Sequence, residues 1–268
     1  MLPENVLLLG REKQMNSISV ILPCAGEGKR LGASGAKELF EIYPGKKLID
    51  FSIAHIKAFI SRGNITKENS DFKVITVIKP GKEDVFEHVK NSLKEVNVEY
   101  VMFNDNYREW PGSVYSARSH LLDMNIVFLP DSFIKFGTDD QIYSDEFGET
   151  LISKAVSVLR RAKVVLGVIN CTDPDRLSSL GAVRVVNNKV ELFKDKPQMD
   201  QHKYNGFWGV YGFRDTSGGL VYEFLIDSVE KKKEKEYLLK ELNPEAFYID
   251  TYHDLGTTES VKKFMNSR

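Results

Sequence analysis

The sequence predicts an α/β protein of three layers, with a mostly parallel mixed sheet covered by helices on both faces. Three observations lead to that class. Short apolar runs of strand length alternate with segments whose apolar residues recur at helical spacing. Some runs, such as Asn125-Ile126-Val127-Phe128-Leu129, are apolar almost throughout, as in strands buried on both faces. The chain of 268 residues, 42% of them hydrophobic, is also long enough to bury a substantial core. Sheets of this kind collect ligands at the carboxyl ends of their strands, so the loops leaving those ends are the places to search for function.

Taken in order, residues 1–16 read as an extension before the core. The run Ser17-Ile18-Ser19-Val20-Ile21-Leu22 is a first strand, and it opens into Pro23-Cys24-Ala25-Gly26-Glu27-Gly28-Lys29-Arg30-Leu31-Gly32, with Lys37-Glu38-Leu39 shortly after. Two close glycines remove Cβ atoms where a polyphosphate must approach the main chain, and they permit positive φ. Arg30 can fork two donors onto phosphate oxygens, while Lys29 and Lys37 add compact charge. The spacing is neither a P-loop nor the dinucleotide G-x-G-x-x-G.

Residues 48–60 form an amphipathic helix that ends at Gly63, with His55 inside it in a packing or surface role. Residues 72–78 are a second strand, stopped by Lys79-Pro80-Gly81-Lys82. A helix over 84–96 and a strand over 98–103 follow. Tyr107-Arg108-Glu109-Trp110-Pro111-Gly112 then leads from a strand end into another helix. Next, residues 125–129 deliver Asp131 at a strand end, where a hard cation can be held by few protein ligands and several phosphate oxygens. Asp139, Asp140, Asp145 and Glu146 read as solvated loop charges.

Residues 162–169 are a further strand. Residues 180–186 and 190–193 make a hairpin around Asn187-Asn188. Lys194-Asp195-Lys196-Pro197 follows, and then the aromatic strand of residues 204–213. Residues 230–241 read as one exposed helix laced with i,i+4 pairs. Thr257 or Thr258 caps a last helix carrying Val261 and Phe264.

A net charge of −1 gives no global basic field, which points to a small anionic ligand, with no nucleic acid and no membrane as partner. Cys24 and Cys171 lack zinc-site spacing and fit a reducing compartment, and Cys24 reads as a small buried residue. No stretch approaches membrane-spanning length, so the expected location is cytoplasmic.

Four motifs in series resemble the sugar-1-phosphate nucleotidyltransferases. Ala25-Gly26-Glu27-Gly28-Lys29-Arg30-Leu31 with Ala36-Lys37-Glu38-Leu39 is similar to their loop Ala-Gly-x-Gly-Thr-Arg-Leu and Pro-Lys-x-Leu, with Lys29 and Ala36 as departures. Leu129-Pro130-Asp131, Asp195-Lys196-Pro197 ahead of Asn205-Gly206, and Asp254-Leu255-Gly256-Thr257-Thr258-Glu259 complete the series. The resemblance implies a Rossmann-like, glycosyltransferase-A-like fold. It also implies one domain over 1–268, with a nucleotide half at about 17–135 and a sugar-phosphate half at about 160–260. It further implies an enzyme joining an NTP to a sugar 1-phosphate with release of pyrophosphate, dependent on Mg²⁺.

On that resemblance Cys24, Ala25, Gly26, Gly28, Lys29, Arg30 and Gly112 bind the nucleotide, and Asp131 with Asp254 holds Mg²⁺. Lys37, Gly181, Asp195, Lys196 and Asn205 take the sugar phosphate. Arg30, Lys37, Asp131, Lys196 and Asp254 carry the catalysis. UTP or dTTP is the first expectation for the NTP, but the family's Gln before Gly112 is missing, which leaves CTP or GTP open. A cytidylyltransferase acting on a phosphorylated alcohol or amine, and a non-catalytic nucleotide-sugar-binding subunit, are the alternatives. A homo-oligomer is allowed.

Overall fold

The alternation of apolar residues along the first strand is what builds the sheet into the middle of the molecule. In the computed structural model, which describes residues 17–31, 35–63, 65–68, 71–104, 106–107, 109–137, 142–214, 218–231 and 236–267, β1 is Ile18–Pro23 and is buried along its whole length. The elements that follow are β2 (Glu41–Tyr43), β3 (Lys46–Lys47), α1 (Asp50–Gly63), β4 (Phe72–Ile78), α2 (Glu83–Ser92), β5 (Asn97–Met102), α3 (Trp110–Ser116), β6 (Met124–Val127) and β7 (Ser132–Lys135). The second half holds α4 (Leu151–Leu159), β8 (Val164–Asn170), α5 (Pro174–Ser179), β9 (Gly181–Val186), β10 (Lys189–Asp195) and β11 (Gly206–Arg214). It ends with α6 (Gly218–Leu225), α7 (Glu236–Leu242), β12 (Glu245–Tyr248), β13 (Thr251–Asp254) and α8 (Thr258–Asn266). The extension 1–16, Gly32, Arg108, Asp139, Asp140 and the side chain of Lys29 lie outside the described residues.

Val20 and Leu22 pack with Ile53 and Ile56 of α1 and Leu151 and Ala155 of α4, whereas Ile21 packs with Val114 of α3 and Val221 and Phe224 of α6. The period of two in β1 therefore sends neighbouring side chains into two separate cores, and helices lie over both faces.

The sheet is less parallel than expected. Nine strands run in the order β5-β4-β1-β6-β11-β8-β12-β10-β9. The ladders β1–β4, β1–β6, β4–β5 and β8–β12 are parallel. Strand β11 enters reversed, antiparallel to β6, β8 and β9, and the β9–β10 hairpin adds two more antiparallel ladders. Because β9 pairs with both β10 and β11, the second half curls into a small closed ring of five strands. The hairpin turn has Asn187 and Asn188 at φ 49 and 61, the left-handed pair that a two-residue turn demands.

The single exposed helix expected over 230–241 is corrected to two pieces. A π-helical turn occupies Ile226–Glu230, and α7 begins at Glu236.

His55 shows how tightly the first core is closed. It is 1% exposed, stacks on Phe128 at 5.6 Å, and its Nε2–H donates to the Ile134 carbonyl at 3.1 Å. Burial lowers its pKa from 6.5 to about 4. The unfolded chain thus binds the proton more readily, so the stability His55 provides is complete above pH 6.5 and drains away as pH falls towards 4. A pKa gap of this size corresponds to about 3 kcal/mol. Urea-unfolding curves across this interval should show the loss, and His55→Phe should shrink the pH slope by about that amount.

Candidate active site

The loop after β1 is shaped by one lysine packed through it. Gly28 sits at φ +68, and a Cβ there would lie 2.7 Å from Cβ of Lys37, so glycine is required both for the turn and for the packing. At Gly26 a Cβ would lie 3.3 Å from the Lys37 ammonium. Lys37 packs against the loop on the cleft side and reaches Asp131, with Nζ donating to Oδ2 at 2.6 Å. Burial would lower the pKa of Lys37, but the attraction of Asp131 outweighs it and holds the ammonium above its usual range.

Asp131 and Asp254 come from chain segments far apart in sequence and meet through a two-stranded ladder. In that ladder β13 pairs antiparallel to β7 with Asp254 opposite Ser132, and Leu255 N–H donates to the Asp131 carbonyl at 2.8 Å. Gly256 marks the meeting point. A Cβ placed on it would lie 3.0 Å from Asp254 Oδ1, 3.3 Å from Asp131 Oδ2 and 3.8 Å from Nη2 of Arg30. Arg30 is brought there by its neighbour, because Leu31 packs with Leu255, Val261 and Phe264 and its carbonyl accepts from Thr258 Oγ1 at 3.0 Å. Helix α8 is fixed in turn by a capping box between Thr257 and Ser260, which settles the N-cap on Thr257.

Arg30, Lys37, Asp131 and Gly256, though not Asp254, are among the residues lining a cleft of about 340 Å³ at the carboxyl edge of β1. Ala25, Gly26, Gly28, Arg30, Lys37, Asp131 and Gly256 form its charged end, and Phe103, Trp110, Ser113 and Leu129 its apolar end, with Glu109 at the wall. The Asp254 carboxyl titrates above the ordinary range, first because of burial and second because of the Asp131 charge; the Gly256 amide, Arg30 and Lys37 oppose the shift. Two carboxylates, an ammonium and a guanidinium thus surround one point. Among the described residues no cluster of three or more His, Cys, Asp or Glu side chains has metal-binding geometry.

The other expected residues stand apart from this cleft. Gly112 is buried in α3, and the place of its missing Cβ is hemmed by the Tyr107 carbonyl at 2.8 Å and Phe103 at 3.1 Å; Trp110 and Ser113 of the same helix line the cleft instead. Gly181 makes room for Trp208, whose Nε1 would lie 1.9 Å from a Cβ there, and Trp208 touches Trp110 at 5.1 Å. Asp195 is buried opposite Gly181 at the end of β10, while Lys196 is exposed at φ 50. Asn205 is exposed, and its amide brackets Val185, accepting from N–H and donating to C=O at 2.8 Å each. Since Phe207 pairs with Ala182 and Tyr211 with Val127, Gly181 and Asp195 lie at the same sheet edge as Asp131, although not in the cleft lining. Cys24 is fully buried, and its thiol is pushed well up by burial and then by Glu38, which fits an inert side chain.

Sequence reasoning passed over Glu38 and Lys82. Lys82, read there as part of a strand stop, donates from Nζ to Glu38 Oε2 at 2.8 Å and to the carbonyls of Cys24 and Gly26. An acid directly after Lys37 and a lysine after the second strand were visible, but their partnership needs the β1–β4 pairing to appear.

No protein-family model and no curated protein sequence matches the chain. Solved structures do share its fold. A protein from Bacillus anthracis assigned as a glucose-1-phosphate thymidylyltransferase, in complex with a sucrose, aligns with TM-score 0.65 and 18% identity over 93% of this chain and 94% of its own. A UTP-bound UGPase from Acinetobacter baumannii aligns with TM-score 0.67 and 16% identity over 93% and 92%. The inositol-1-phosphate CTP transferase from T. maritima aligns with TM-score 0.62 and 16% identity over 94% and 96%.

If the Asp131 charge contributes to the raised Asp254 titration, Asp131→Asn should bring the Asp254 carboxyl down towards the ordinary range in a carbon-13 NMR titration. An unmoved Asp254 would leave burial as the sole cause.

Proposed function

We propose that this chain is a nucleotidyltransferase that joins an NTP to a sugar 1-phosphate, forming an NDP-sugar and pyrophosphate. The observation that carries the reading is the convergence of Arg30, Lys37, Asp131 and Asp254 on one point beneath the glycine loop. The fold shared with the thymidylyl-, uridylyl- and cytidylyltransferase structures supports it, and we read the nine-stranded sheet as Rossmann-like and glycosyltransferase-A-like.

In this reading the amides of the loop from Cys24 to Lys29 and the Arg30 fork hold the triphosphate. A phosphate oxygen of the sugar 1-phosphate attacks the α-phosphorus, and the bond to the β-phosphate oxygen breaks to release pyrophosphate. The nucleophile is already an anion, so no general base is needed, and positioning with charge neutralisation carries the rate. Lys37 stands between the loop and Asp131, where it can pass from the carboxylate to the incoming phosphate and offset the repulsion between two anions. Lys196, at the same sheet edge, supplies a second cation for the sugar phosphate.

The two hard carboxylates fit Mg²⁺. Asp131 and Asp254 would hold it, and when bound it supplies positive charge that neutralises the α-phosphate. The raised titration of Asp254 fits a pair that gains from such a cation. The apolar end, with Trp110 and Phe103, suits a stacked base. UTP or dTTP is the first choice there, with CTP or GTP as competitors. Free Cys24 and Cys171 agree with a cytoplasmic setting, and among the described residues no helix is long and apolar enough to cross a membrane.

A cytidylyltransferase for a phosphorylated alcohol or amine is the second reading. What favours it is that Asn205 is committed to Val185 and that Asp195 and Lys196 stand outside the cleft lining.

A pyrophosphate-release assay over the four NTPs and a panel of sugar phosphates tests the proposal. Turnover with a sugar 1-phosphate, lost in Asp131→Asn, is the expected outcome; turnover confined to CTP and a non-sugar phosphate would replace it with the second reading. Lys196→Ala should raise KM for the sugar phosphate about tenfold while changing that for the NTP little. Equal effects on both would remove Lys196 from the sugar side.

A further inference from the structure

Lys82 is held by three acceptors and has nothing left to give a ligand. Its Nζ donates to the Cys24 carbonyl at 2.8 Å, the Gly26 carbonyl at 2.5 Å and Glu38 Oε2 at 2.8 Å, which uses all three ammonium protons. Glu38 is wholly buried and Lys82 nearly so, with side-chain exposures of 0% and 13%. Neither residue of this pair lines the cleft, whereas Ala25, Gly26, Glu27 and Gly28 all do.

Peptide planarity turns that contact into an orientation. In a trans peptide the C=O of one residue and the N–H of the next point in opposite directions, and the described chain contains no cis bond. Drawing the Cys24 carbonyl back onto Lys82 turns the Ala25 N–H forward. Drawing the Gly26 carbonyl back turns the Glu27 N–H forward. Two amides two residues apart, facing one way, can both donate to one anion.

We propose that Lys82, anchored on Glu38, is a positioning residue that aims the Ala25 and Glu27 amides into the cleft to bind the β- and γ-phosphates of the NTP. The proposal rests on the nucleotidyltransferase reading and adds to it a lysine that touches no substrate. Its division of labour with Lys37 is clear: one cation holds the loop by its carbonyls, and the other meets the phosphate in the cleft. The anchoring acid matters because a carboxylate with no exposure fixes the ammonium in place, whereas a free lysine would follow the phosphate.

The probe is inorganic pyrophosphate, titrated calorimetrically and by amide NMR into the full-length protein. The native chain should bind it, with downfield shifts of the Ala25 and Glu27 amide protons. Lys82→Met together with Glu38→Gln removes both charges at once and so avoids leaving one buried charge unpaired. That variant should bind pyrophosphate about 10- to 100-fold more weakly, the usual cost of losing an outer-shell support, and should lose the two amide shifts. Lys82→Arg, which keeps the charge but replaces a single three-way donor with a planar fork, should show the same loss and serves if the double variant does not fold. Native-like affinity and shifts in either folded variant would overturn the proposal while leaving nucleotidyl transfer standing. Failure of the native chain to bind pyrophosphate and every NTP would overturn both.

Discussion

Holding two acids side by side at the edge of a protein costs energy, and this chain accepts that cost at Asp131 and Asp254. The β7–β13 ladder leaves them no freedom to separate, since Asp254 is registered against Ser132 and the Leu255 amide is bonded to the Asp131 carbonyl. What makes the arrangement tolerable is a set of nearby positive groups: Lys37 in direct contact with Asp131, Arg30 beside Gly256, and the Gly256 amide on Asp254 at 2.8 Å. The placement of much of the first half follows from this requirement. The loop must turn at Gly28 to let Lys37 through, Leu31 must dock on α8 to carry Arg30 across, and α8 must be capped at Thr257 to leave Gly256 open.

Much of this was legible in the residues themselves. β4 was placed at both of its ends, because Phe72 to Ile78 is a mostly apolar, β-branched run that Lys79-Pro80-Gly81 stops. The glycine loop, Lys37 and Asp131 could be singled out because strand ends with charged or small residues are chemically conspicuous, whereas Asp254 was reached only through the resemblance of its run to the family's closing motif. Other parts were hidden for identifiable reasons. Strand β7 has only the four residues Ser132–Lys135 and is held by tertiary pairing with β13, so nothing local announces it. Helix α4 is nucleated by Thr150 and Ser153 capping each other, a signal easily lost in the polar stretch before it. The reversal of β11 depends on where the chain crosses the sheet, which periodicity does not encode, and that is why the sheet proved less parallel than its apolar strands suggested.

The site residues divide along the same line. Arg30, Lys37 and Asp131 could be read because each is a charged group beside a strand end or a glycine, and Asp254 because its run resembles the family's closing motif. The group around Gly181, Asp195, Lys196 and Asn205 was harder, because residues there do packing and backbone work. Gly181 is shaped by Trp208, and Asn205 by the backbone of Val185. Glu38 and Lys82 were missed for the converse reason: in one dimension they are ordinary surface charges, and only the parallel pairing of β1 with β4 makes them a buried pair.

The Asn205 bracket has an effect on the whole sheet. Strand β11 pairs with β9 only at Ala182 and Val183, and beyond that point the Asn205 amide offers Val185 the donor and acceptor that a further strand would have supplied. The backbone seam of the five-stranded ring is thereby extended by one side chain, and β5 is left as the long open rim of the nine-stranded sheet. That rim presents Tyr100 and Met102 to solvent, guarded by Glu99 with its partners Lys73 and His120. Any growth of the sheet by docking of another strand must therefore start at β5, where those charges oppose uncontrolled edge-to-edge stacking.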